Sequence, residues 1–165
     1  MRAESPENAS NATLYEAYEL MGVTTMYDLS RAYTKEDQKL MKEGTWDYKN
    51  PDLLTNKIKI LLEKVDPTTL SEEEKEWRGE ILWFWYHHAI SCALWRYKDK
   101  ERAQECAEKA LGYQDEDHPN KITRLFYFLL HDDLKAAEDL AEGIENDKET
   151  AQWLIDDYVT GKWFR

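Results

Sequence analysis

Three side chains able to hold a metal or move a proton stand close together in the stretch WFWYHHAISCALW: His87, His88 and Cys92. His88 and Cys92 are four apart, which puts them on one face of a helix, where an imidazole and a thiolate could meet one metal ion. His87 points about 100° away from that face. Cys106 and His118 could add donors, but no compact second pair of the C-x2-C kind completes a site. A Cys–His nucleophile needs a depressed thiol pKa and an open pocket, and Cys92 sits among Trp and Leu instead. Histidine and cysteine are both commonly interior, so the pair reads as packing residues, with no metal and no cofactor. Glu76 and Glu80, one turn apart, read as charge favouring a helix N-terminus. No Gly-rich phosphate loop, nucleophile elbow or zinc-helix motif occurs. The chain does not read as an enzyme.

The elements that must carry these residues are helices. The stretch Ile81–Trp95 is apolar or aromatic on nearly every side, as expected of a helix covered by neighbours. Around it, Leu14, Tyr15, Tyr18 and Met21 precede a stop at Gly22, and Val23–Tyr33 is either a helical turn or an extended link. Thr34 with Asp37 reads as an N-cap for a helix ending at Gly44, and Asn50-Pro51 as the start of the next. Ser71 with Glu74 is a capping box, and Asp99, His118-Pro119, Asp132 or Asp133, and Asp147 open four more helices. Nothing alternates with period two, so no sheet is expected.

At 165 residues the chain is expected to form a single domain, 1–165, with an N-terminal accessory segment at 1–50 and a repeat core at 51–165. A net charge of −12 excludes nucleic acid as a partner, since phosphate binding needs clustered Lys and Arg. No run reaches the ~18 apolar residues needed to span a bilayer, and the start MRAESPENASNAT has no apolar core for a secretory signal. Two cysteines are too few for a disulfide scaffold, so a cytoplasmic protein is expected.

Sliding the chain by 34 residues superposes Asp99 on Asp133, Ala103 on Ala137, Ala107 on Ala141 and Glu108 on Glu142. Leu94 falls on Phe128 and Ala110 on Ile144. Small Ala residues at fixed points let a second helix sit close against a first, so one helical hairpin is used twice. In length and pattern this resembles the tetratricopeptide repeat over about residues 84–149. The match is best in the second helices, DKERAQECAEKAL and DLKAAEDLAEGI. It departs in the first helices, where the family's aromatic, Gly and Tyr positions hold His87, Ser91 and Leu94, then Lys121, Leu125 and Phe128; Asp115 and Glu149 replace the terminal Pro.

The resemblance implies an all-α fold of antiparallel hairpins stacked as a short right-handed superhelix, with N-terminal accessory helices and a C-terminal capping helix. It also implies a concave groove for a peptide or protein partner. Carried over position by position, that groove takes Trp85, His88, Cys92, Trp95 and Arg96, then Ile122, Phe126, Leu129 and Leu130. Large apolar patches are unusual on monomers, so the N-terminal helices or Trp153, Trp163 and Phe164 are the favoured filling. The functional expectation is a small adaptor binding a protein or peptide through Trp85, His88, Trp95, Arg96, Ile122 and Phe126. The alternatives are a metal- or small-molecule-binding domain using His88 and Cys92, or self-assembly, for instance as a homodimer.

Overall fold

The computed structural model describes the backbone of residues 6–164 and the side chains of residues 12–163. Among them are eight α-helices and no strand, so the class is all-α. They are α1 (Pro6–Met21), α2 (Met26–Glu43), α3 (Leu54–Lys64), α4 (Glu72–Ser91), α5 (Lys100–Tyr113), α6 (Ile122–Leu130), α7 (Leu134–Glu142) and α8 (Lys148–Val159). A π-helical turn, Cys92–Arg96, follows α4, and 3-10 turns occur at Pro67–Thr69 and Lys162–Phe164. The chain forms two compact units, residues 1–85 and 86–165, and the division falls within α4. No helix of the described residues is long and apolar enough to cross a membrane.

In the first unit α1 packs on α2 and α3, and α2 packs on α3. Its core holds Leu14, Ala17, Leu29, Tyr33, Ile58, Leu62, Ile81, Leu82 and Trp85. The expected break at Thr34 does not occur. Leu29 and Tyr33 are both fully buried one turn apart, and the Thr34 hydroxyl donates back to the Ser30 carbonyl at 2.8 Å, so α2 runs through. Its cap is Thr25, whose Oγ1 accepts from the Asp28 amide at 3.1 Å. The helix stops at Gly44, where φ is 71° and no side chain crowds a Cβ, so the glycine serves backbone conformation alone. Asn50-Pro51 does not open a helix either. The Asn50 side chain accepts from the Asp52 amide at 2.9 Å in a local turn, and Asn56 Nδ2 donates to the Asp47 and Asn50 carbonyls, which delays α3 to Leu54. The capping box does form: Ser71 Oγ accepts from the Glu74 amide, and Glu74 Oε1 from the Ser71 amide.

In the second unit α5 packs on the π-helical turn and α6, α6 on α7 and α8, and α7 on α8. The 34-residue repeat is visible in the backbone. Lys98 and Asp132 hold positive φ angles of 52° and 58°. The next residues, Asp99 and Asp133, cap α5 and α7 by accepting from the Arg102 and Ala136 amides at 3.0 and 3.1 Å. Ala103 and Ala137 are fully buried on the second helices. Replacing Asp99 or Asp133 by Ala is expected to cost about 1 kcal/mol each, read as a lower urea midpoint with an unchanged slope.

The first helices are out of step with this register. Ala89, Ile90, Ala93 and Leu94 are fully buried in the first hairpin, and Leu125, Phe126, Leu129 and Leu130 take that pattern in the second. Those sets lie 36 residues apart, two more than the caps. The π-helical turn absorbs one residue of the difference: the Tyr97 amide donates to the Cys92 carbonyl and the Asp99 amide to Ala93. In the second hairpin, Asp133 donates to Phe128, one residue closer in sequence. A wide turn of this kind lengthens the path without ending the helix.

Candidate functional site

The residues expected to form one groove are divided between the two units. Trp85 belongs to the core of the first, where its Nε1–H donates to Asn56 Oδ1 at 2.8 Å and its ring meets Trp46 at 6.0 Å and Tyr48 at 6.5 Å. Lys59 Nζ sits 4.3 Å from that ring's centre. His88, Trp95, Arg96, Ile122 and Phe126 fall in the second unit. There Trp95 meets Phe126 at 6.1 Å, so these two are brought together. Ile122 and Phe126 are buried, His88 and Trp95 are half-buried, and Arg96 is exposed.

The aromatic face of the second unit is covered by the unit's own C-terminal part. Trp163, 1% exposed, packs on Phe126 at 5.9 Å and Tyr158 at 5.7 Å. Trp153 lies tilted against Trp95 at 5.5 Å. The Lys98 ammonium donates to the Trp163 carbonyl at 3.5 Å, and the Tyr158 hydroxyl donates to Asp132 Oδ1 at 2.7 Å. That last bond holds the Asp132 carboxyl below and the Tyr158 hydroxyl above their ordinary values. The side chain of Phe164 lies outside the described residues.

His87 shares a hydrogen bond with the buried Thr123 hydroxyl at 2.8 Å and touches Phe126 edge-on at 6.1 Å. Burial, helped by His118, pushes its pKa down to about 4. Burial and the neighbouring His87 take His88 down to about 3. Both are therefore neutral near pH 7, held so by burial. Cys92 and Cys106 are buried and not joined in a disulfide. Among the described residues no group of three or more His, Cys, Asp or Glu side chains could hold a metal ion.

A different surface gathers exposed aromatic side chains. In the first unit, a cleft of about 440 Å³ is lined by Leu14, Tyr15 and Tyr18 of α1, Met26 and Tyr27 at the start of α2, Leu70, and Glu73, Glu74 and Trp77 of α4; Thr24, Thr25 and Thr69 complete it. Leu14, Ala17 and Tyr18 bury the core face of α1, which leaves Tyr15 67% exposed. Met26, Leu29 and Tyr33 do the same for α2, leaving Tyr27 45% exposed. Tyr27 meets Trp77 edge-to-face at 5.1 Å, and Tyr15 meets Tyr18 at 6.2 Å. The Trp77 Nε1–H is buried with no acceptor among the described residues. Burial, then Glu74 and Tyr15, push the Tyr18 hydroxyl up to about 12.

Sequence reasoning missed this cleft because Tyr15 counted as part of the apolar stripe and Tyr27 lay in a segment of ambiguous structure. The signal that could have found it is an aromatic residue directly beside, and not on, the buried stripe of two successive helices. No family model, curated protein or solved structure matches this chain.

Proposed function

We propose that this chain is a non-enzymatic helical adaptor that holds a segment of a partner protein in the aromatic cleft of its first unit. The observation that carries the reading is the convergence of Tyr15, Tyr18, Tyr27 and Trp77 from three helices on one solvent-open cleft. Rigid aromatic side chains bury much area at little entropic cost, which is why they dominate contact surfaces between proteins. The second unit is read as a divergent tetratricopeptide-like pair, supported by the repeated positive-φ residue, Asp cap and buried Ala at 34-residue spacing. Its own aromatic face is not offered as the site, because Trp163 and Trp153 lie over it.

Peptides selected from a random displayed library on the full chain test the reading. Their Kd values, read by fluorescence anisotropy, are expected to rise about tenfold or more in the Tyr15→Ala/Tyr27→Ala double variant. Tyr15 is 67% and Tyr27 45% exposed, so the fold is expected to tolerate their loss. Trp153→Ala is expected to leave the Kd within about twofold, as a side chain outside the contact does. Peptides that bind the double variant as tightly as the native chain would overturn the proposal.

A further inference from the structure

Building on the cleft reading, we infer that what the cleft selects is a positively charged side chain, Lys or Arg, presented by the partner segment. Among the described residues two carboxylates line the cleft, Glu73 and Glu74, and no Lys, Arg or His does. Its four rings supply π faces, and a cation within about 6 Å of a ring centre is attracted by the ring's negative face. The chain already uses this chemistry on one of these rings, though Arg31 does not itself line the cleft: the Arg31 guanidinium carbon lies 5.6 Å from the centre of the Tyr27 ring, and Arg31 donates to the Tyr27 hydroxyl at 3.4 Å. In the same unit Lys59 sits over Trp85. Leu14, Met26 and Leu70 give the cleft apolar walls that suit the methylene stem of such a side chain, whose charged end then meets the carboxylates. Burial is the main cause of the raised Tyr18 hydroxyl pKa, and the Glu74 carboxylate adds to it. A chain of net charge −12 adds a long-range attraction for a basic partner.

The occupant with the opposite logic is a neutral aliphatic side chain, which would use the same walls and ignore the carboxylates. Three model compounds separate the two: Nα-acetyl-lysine methylamide, Nα-acetyl-arginine methylamide and the neutral Nα-acetyl-norleucine methylamide. Each is titrated into the full chain labelled with 15N, following the Trp77 indole N–H signal, assigned by its loss in Trp77→Phe. The lysine and arginine compounds are expected to shift it saturably, with a Kd about fivefold or more below that of the norleucine compound. The preference should fall towards parity in Glu73→Gln/Glu74→Gln, a change that keeps the capping bond because Gln also serves at that position, and in about 0.5 M salt. Equal binding of the norleucine compound overturns the charge selection while leaving the cleft as a peptide site. A preference that survives both Gln substitutions, or no response of Trp77 to any of the three compounds, overturns it too. Failure of the adaptor reading itself is seen separately, in peptides indifferent to the loss of Tyr15 and Tyr27.

Discussion

Replacing Asp37 by Asn is expected to stabilise the protein at pH 8 by on the order of 3 kcal/mol. Asp37 is fully buried in α2, and its carboxyl is raised from the ordinary 3.8 to about 7. Burial is the main cause; a hydrogen bond from Trp46 works against it, and Glu36 adds to it. Tyr33, one turn away and also fully buried, has its own hydroxyl raised by burial, Asp37 and Glu63, so the site disfavours negative charge throughout. The sign follows from proton counting. Between about pH 4 and pH 7 the unfolded chain has lost this proton and the folded chain keeps it, so stability falls as pH rises. Above pH 7 the folded state carries the whole cost of a buried carboxylate. At about 1.4 kcal/mol per tenfold change, that cost is a little over 4 kcal/mol, and weaker hydrogen bonding by the amide removes part of the gain. Urea unfolding of both proteins at pH 4 and pH 8 checks it. The variant should lead by under about 1 kcal/mol at pH 4 and by the full amount at pH 8, whereas a pH-independent difference would contradict the burial of this carboxyl.

Trp163→Ala is expected to cost about 3–5 kcal/mol, the range for removing a large buried aromatic side chain. The Trp163 ring is 1% exposed and spans Phe126 and Tyr158, and its loss would open the aromatic run that continues through Trp95 to Trp153. Trp163→Phe should recover most of the stability, since it refills much of the space. A loss below about 1 kcal/mol in Trp163→Ala would mean that the side chain does not seal the second unit.

Much of the fold was legible because short-range chemistry decides it. Asp99, Asp133 and the Ser71–Glu74 box open helices through bonds three residues long. Gly44 closes α2 because only the backbone conformation matters there. Thr34 and Asn50 misled because the same side chains have a second local partner, an earlier helical carbonyl for Thr34 and a turn amide for Asn50; burial of Leu29 and Tyr33 decides for the helix in the first case. The 34-residue shift was correct for caps and second helices. In the first helices the buried sets lie two residues off that shift, in part because a π-helical turn, which has no composition of its own, lengthens the path, and the slip moves each side chain to another face. The groove list takes Trp85 from one unit and Phe126 from the other. The cleft depends on which aromatic residues α1, α2 and α4 leave outside, which is a tertiary outcome.

The most direct test of the account is hydroxyl-radical footprinting of the full chain, with and without a selected peptide at saturation, read residue by residue. Without peptide, Tyr15, Tyr27 and Trp153 are expected to oxidise fast, and Trp85, Phe126 and Trp163 slowly. With peptide, protection is expected at Tyr15, Tyr27 and Trp77 while Trp153 keeps its rate. Protection centred on Trp95 and Trp153, with Tyr15 and Tyr27 unchanged, would contradict the account and return the binding site to the second unit.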